Sequence, residues 1–368
     1  MFNPSRLRLA RKRRGLTKIA LANKAGITVR SISAFEAGTF APSDESLQDL
    51  ARILVFPTDF FHAADPEEPD ARGASFRGFS TMTAGQRDMA LAAGSLAIEL
   101  SRWIDQRFEL PPTSVPNLHA LDPESAAQAL RAEWLLGERS IPNVLHLLEA
   151  KGVRIFSIPR ESDSISAFSF WSAERPFIFL TTDTSGERGR YDCAHEIGHL
   201  VLHRQSGALP RSRQVEAEAD RFASAFLMPR SSVLANAPRH PSLSRLIEIK
   251  KKWLVSLAAL VHRLRSVGLL TEWEYRTLWI DISTRGFRAT EPSGIPRETS
   301  QVLAKVFSAL RQEGVPRSTV AKDLCITMAD LDALIFMLTV SGIRGGSPRS
   351  QKSNSGTSSR NNLRLLTS

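Results

Sequence analysis

The sequence predicts a multidomain, mainly α chain: an N-terminal all-α helix-turn-helix bundle, then an α+β domain with a small antiparallel sheet, then a helical C-terminal region. Three observations predict it. Residues 1–62 break into short helical stretches separated by glycines. Residues 153–181 switch from a helical period to a two-residue alternation. Residues 191–223 carry histidines and acidic groups at the spacing with which a helix presents ligands to one ion. A length of 368 residues allows two or three domains, and 42% hydrophobic with 23% charged residues is the balance of a chain that buries cores. No run of 18 apolar residues marks a membrane span. The basic N-terminus is not followed by an apolar signal core, and the two cysteines, Cys193 and Cys325, cannot build a disulfide framework; both features point to the cytoplasm and to no membrane partner. The net charge of +10 favours an acidic partner, and nucleic acid is the usual one.

The first segment, 1–62, holds ten Lys/Arg against five Asp/Glu. Its first helix runs near Ser5–Arg14 and ends at Gly15. Thr17 caps a second helix to Ala25, and Gly26 makes the turn. Thr28 caps a third to about Glu36, before Gly38, and Ser43 or Asp44 caps a fourth whose apolar side is Leu47, Leu50, Ile53 and Leu54. Helix, glycine turn, helix is the arrangement that lays its second helix in the major groove of double-stranded DNA. The side chains at the start of that helix are Thr28, Val29, Arg30, Ser31 and Ser33, with Ile27, Ile32 and Phe35 turned to the core. Arg30 suits guanine, Val29 a thymine methyl, and the hydroxyls bases or phosphate. Lys18 and the first-helix arginines are expected on phosphates.

Residues 63–80 read as a linker: polar and proline-bearing at first, then a short patch, Ser75-Phe76-Arg77-Gly78, that is either a strand or a docking point. A second domain is placed at 81–240. It opens with helices near 83–108, 122–136 and 141–150. Three alternating stretches follow, 153–158, 166–171 and 176–181, read as the small antiparallel sheet. An edge strand beside a metal helix can bind an extended peptide by strand addition, and the stretch near 176–181 is expected to do so. Helices are expected at 242–268, with Lys250-Lys251-Lys252 on a solvated side, at 298–313 and at 317–340, completing a helical region 241–343. The tail, 344–368, is poor in apolar groups and is expected to be disordered.

The chemistry sits at His195-Glu196-Ile197-Gly198-His199. Four helical residues turn the chain by about 400°, so the two imidazoles lie about 40° apart and reach one ion. Glu196 leans to the side of the pair, where it acts on water rather than as a ligand. A third ligand is needed. In Glu216-Ala217-Glu218-Ala219-Asp220, Glu216 and Asp220 share a helical face; Glu216 is expected as the ligand, Asp220 as a hydrogen-bond partner of a ligand histidine, and Glu218 as the alternative ligand. The donor set suits Zn2+. His203 is read as structural, Cys193 as buried and inert, and Tyr191 and His203 are the candidates for stabilising an oxyanion.

Residues Arg11 to Thr17, Leu21 to Ile27, Ile32 to Gly38 and Pro42 to Ala51 resemble the Cro/repressor-like (XRE-type) helix-turn-helix family, with Lys18 where that family often has glutamine. The run Arg190-Tyr191-x-x-Ala194-His195-Glu196-Ile197-Gly198-His199-x-x-Leu202-His203, then Glu216-x-Glu218-Ala219-Asp220-x-Phe222-Ala223 and Leu227-Met228-Pro229, resembles the ImmA/IrrE family of zinc metallopeptidases. That resemblance implies a zincin-like domain, zinc on His195, His199 and Glu216, and catalysis by Glu196. It also implies a repressor-type protein as substrate, a partner or the chain itself, in a stress or mobile-element response. A homodimer is expected, as such regulators read paired half-sites. The other readings are a transcription factor whose metal domain only senses or dimerises, which would have no need for Glu196, and an antitoxin-like protein.

Overall fold

The computed structural model describes residues 1–70, 75–76, 82–158, 166–181, 184–204, 213–238 and 241–335. The N-terminal head is four helices, α1 (Pro4–Arg13), α2 (Lys18–Ala25), α3 (Val29–Ala37) and α4 (Asp44–Leu54), closed by a 3-10 turn at Thr58–His62. The hydroxyls of Thr17, Thr28 and Ser43 accept hydrogen bonds from the amides of Ala20, Ser31 and Ser46, which fixes where α2, α3 and α4 begin. Gly26 ends α2 at φ +65°, a left-handed conformation that lets α3 start within two residues. Leu7, Leu21, Ile32, Leu50 and Phe60 fill the core of the head with no exposed surface.

The linker becomes a strand, β1 (Ser75–Phe76), and α5 (Ala84–Asp105) follows, started by a capping box between Thr83 and Gln86. Then come α6 (Pro123–Glu133), α7 (Val144–Ala150), β2 (Arg154–Ser157), β3 (Ala167–Ser172) and β4 (Arg175–Leu180). The sheet is ordered β1-β3-β4-β2. Its antiparallel character is only partial. The β3–β4 hairpin is antiparallel, but β2 runs parallel to β4, with Ile155 opposite Ile178. The hairpin folds β4 back between β3 and β2, so β4 has a neighbour on each side. The stretch near 176–181 is therefore an interior strand and cannot accept a peptide at its edge.

Alternation along the hairpin puts Phe168, Phe170, Phe177 and Phe179 on one face, where Phe168 stacks on Phe179 at 4.3 Å and Phe170 on Phe177 at 5.2 Å. This face packs toward α5: a Cβ at Gly94 would stand 3.1 Å from the Phe170 ring. The opposite face meets α8 (Gly186–Leu202), to which Trp171 donates a hydrogen bond at the Leu200 carbonyl, 3.2 Å. Helix α9 (Arg213–Leu227) lies against α8.

The remaining helices are α10 (Arg230–Asn236), α11 (Leu243–Trp253), α12 (Leu257–Ser266), α13 (Glu272–Thr284), α14 (Gln301–Gln312), α15 (Arg317–Asp323) and α16 (Met328–Ile335). Of these, α10 and α13 were not anticipated. The helix expected over 317–340 is broken at Cys325, whose φ of +52° turns the chain between α15 and α16. The end of that expected helix, 336–340, and the tail 344–368 lie outside the described residues. Lys250 is not solvated: it is 1% exposed and ion-paired with Glu187 at 3.2 Å and Glu291 at 3.1 Å.

The head is docked on the rest of the chain through α1, and this corrects the expectation for Arg6, Arg11, Arg13 and Arg14. Arg6 pairs with Glu99 of α5 at 2.8 Å and Arg11 with Glu36 of α3, while Arg13 and Arg14 both reach Asp330 of α16, at 3.2 and 2.7 Å. Lys12 is 3.4 Å from Asp88. Carboxylates of the chain itself hold these groups, so they are not a phosphate-binding row.

Candidate metal centre

Helix α8 is laid under the sheet by the apolar residues flanking the motif: Ala194, Ile197 and Val201 have no exposed surface. That burial leaves His195 and His199 on the side facing α9. Close approach of the two helices depends on Gly198, where a Cβ would fall 2.9 Å from the Phe222 ring and 3.4 Å from the Ala219 carbonyl. With the helices this close, Glu216 reaches both histidines.

The donor atoms form a tight triangle. His195 Nε2 and His199 Nε2 are 3.0 Å apart, and the Glu216 carboxylate oxygens lie 3.4 Å from the first and 3.5 Å from the second. Ligands at about 2.0–2.1 Å in a tetrahedral zinc site stand roughly 3.4 Å from each other. His195, His199 and Glu216 meet that geometry as a group. Two imidazole nitrogens and a carboxylate converging on one point also call for a cation between them.

The proton arrangement on the outer nitrogens agrees. His195 Nδ1 donates to Asp220 Oδ1 at 2.9 Å, which leaves its Nε2 lone pair directed into the triangle. His203 Nε2 donates to Glu218 Oε2 at 3.1 Å, so its bare Nδ1 accepts from His199 Nδ1, also at 3.1 Å. His199 is thereby left with its Nε2 lone pair inward as well. The bond from His203 holds the Glu218 carboxyl below the ordinary glutamate range. Glu218 thus braces a ligand through His203, while Glu216 stands in the donor triangle.

Glu196 is fully buried and lies outside the triangle. Ser169 of β3 donates to its Oε2 at 2.6 Å. Ser169 was not singled out in the sequence. Its signal was a hydroxyl set between Phe168 and Phe170 in an alternating strand, on the face opposite the phenylalanines. Tyr191, a candidate oxyanion donor, spends its hydroxyl on the Asp220 carbonyl at 3.1 Å, and His203 is committed to the relay behind His199. Cys193 is buried and its thiol is pushed well up by burial, so it stays protonated.

In the head, Thr28, Val29 and Arg30 are exposed at the start of α3, and Ser31 and Ser33 are half-buried beside them. Lys18 is half-buried with its Nζ 3.5 Å from Glu36.

Gly198→Ala is expected to force α9 outward and carry Glu216 and Asp220 with it. The overpacking should cost about 1–3 kcal/mol of stability, and metal affinity should fall on the order of 10-fold. Competition with a chromogenic chelator measures the second effect; an unchanged affinity would show that the helices can part without opening the site.

Two family models match the chain: residues 7–61 match helix-turn-helix, and residues 148–265 match a peptidase family described as IrrE N-terminal-like domain. No curated protein matches the chain.

Proposed function

We infer, from a chain that joins a helix-turn-helix domain to an IrrE N-terminal-like peptidase domain, that it is a cytoplasmic DNA-binding regulator acting as a zinc-dependent endopeptidase on a repressor-type protein. No helix among the described residues is long and apolar enough to cross a membrane. The observation that carries the reading is the triangle of His195, His199 and Glu216 with Glu196 held beside it by Ser169. Two imidazoles and one carboxylate favour zinc over calcium or magnesium, which prefer all-oxygen sites. The domain limits that go with this reading are 1–62, 63–80, 81–240 and 241–343, with 344–368 as a tail.

Bound there, zinc supplies Lewis acidity: it polarises a carbonyl and makes water acidic near neutral pH. Glu196 takes the proton from the water that attacks the peptide carbonyl and hands it to the departing amine. Ser169 keeps the Glu196 carboxylate turned to that water. Asp220 and the His203–Glu218 pair keep both ligand imidazoles in the tautomer and rotation that present Nε2. In the head, Thr28, Val29 and Arg30 are placed to read base edges, with Ser31, Ser33 and Lys18 at the margin of the same surface. Two heads are needed for paired half-sites, so the DNA-bound form is read as a homodimer.

The test mixes zinc-loaded protein with purified repressor-type helix-turn-helix proteins from the same genome and follows fragments by mass spectrometry. A discrete cut that disappears with a chelator is expected. Intact substrate under every metal load would leave a DNA-binding protein with a metal site and no hydrolase.

A further inference from the structure

The pairing of β1 is not accounted for by the head or by the metal centre. Ser75 lies opposite Ser169 and Phe76 opposite Phe168, antiparallel, on the outer edge of β3. The inner edge of β3 is filled by β4. Ser169 is also the residue whose hydroxyl holds Glu196. The linker therefore occupies the strand edge that passes beside the water-activating carboxylate. Its approach is built into the fold. The Glu67 carboxylate accepts from the Ser172 hydroxyl at the end of β3 and from Arg102 of α5. Pro69 is buried, and a Cβ on Gly94 would come within 2.9 Å of its ring. Glu67 thus lies at the Ser172 end of β3, and Ser75–Phe76 lie opposite Ser169 and Phe168.

We propose that the outer edge of β3 is the docking edge for an extended protein segment and that the chain's own residues at Ser75–Phe76 occupy it as a tethered competitor. The proposal rests on reading the centre as an endopeptidase. A free strand edge binds an extended peptide through its row of N–H and C=O groups. A peptide in the register of β1 would run past Ser169 and so past Glu196, which has 0% of its surface exposed. The two paired residues make a short ladder, so the competitor is displaceable. Its tether nonetheless gives it an effective concentration on the order of millimolar. Only a segment that pairs well with β3, or one delivered at high local concentration by the head's binding to a neighbouring site, would displace it.

The test uses the full-length, zinc-loaded Glu196→Gln protein, so that nothing is cut, and a fluorescent peptide with the sequence of residues 70–81. Peptide affinity is compared with and without Ser75→Pro/Phe76→Pro, which removes both strand amides. The proline pair is expected to bind at least about 10-fold more tightly by anisotropy, and bound peptide should slow amide exchange at Ser169, whose N–H faces that outer edge, while the Phe168 amide faces β4. Equal affinity in the two backgrounds overturns the proposal. A Ser75→Gly/Phe76→Gly pair weakens the strand through glycine's backbone freedom without proline's restriction, and should shift peptide affinity in the same direction by a smaller factor should the proline pair melt early. Cleavage is read separately with Glu196 intact: tight peptide binding without any cut would refute the endopeptidase reading and leave the docking edge standing.

Discussion

Glu196→Gln is expected to keep its zinc and to lose peptide cleavage by about 10²- to 10⁴-fold, the contribution of a positioned proton-transfer group. Glutamine is close to glutamate in shape, and its carbonyl oxygen can still accept from Ser169, which lies 2.6 Å from the present carboxylate. Metal retention follows because the donor triangle is His195, His199 and Glu216. DNA binding should not change, since α3 lies in a separate part of the fold. Metal content by mass spectrometry, fragment formation and an operator-binding assay separate the three readouts. Cleavage at the parental rate would remove Glu196 from the reaction and with it the endopeptidase reading.

The second large effect is expected at Asp330. Its side chain is 1% exposed and accepts from Arg14 through two bonds of 2.7 Å, with Arg13 at 3.2 Å and the Thr327 hydroxyl at 2.7 Å. Asp330→Asn leaves two guanidinium groups facing a neutral amide, and breaking a buried pair in this way costs about 3–5 kcal/mol. The lower end is expected because Arg14 keeps 22% of its side chain in solvent. Denaturant unfolding measures the loss, and hydrogen exchange should show it concentrated in α1. Burial pushes the Asp330 carboxyl upward, but the Arg14 bonds and the charges of Arg13 and Arg14 prevail and hold it below the ordinary aspartate range. A carboxyl lowered in the folded state stabilises fully above its unfolded pKa of about 3.9, and the stabilisation is lost as pH falls through the folded value. The acid limb of the stability curve should therefore be shallower in Asp330→Asn. A variant as stable as the parent would mean that the head is held by α5 alone.

What the sequence made legible was local. The caps at Thr17, Thr28 and Ser43 and the stop at Gly26 act within four residues, so the helices of the head could be read from residue order. The same holds for His195 with His199 and for Glu216 with Asp220, pairs that share a face because each is four residues apart on a helix. Partners brought in from distant elements were not legible. Ser169 approaches Glu196 from a strand of the sheet, Asp330 collects Arg13 and Arg14 from the far end of the chain, and Lys250 looks like part of a solvated run until Glu187 and Glu291 surround it. The parallel β2–β4 pairing escaped for the same reason, since alternation gives a strand's faces but not its neighbour. The break at Cys325 carries neither glycine nor proline to announce it.

Helix α5 meets the head on one flank, through Glu99 with Arg6, and the aromatic face of the sheet on another, through Gly94 beside Phe170. A single wall common to two rooms means that neither can be taken away without opening the other. The head cut out on its own would bare the side of α1 that this wall covers, with Arg6, Arg13 and Arg14 stripped of their carboxylates. Operator affinities measured on such a fragment would then include attraction that the whole chain does not possess.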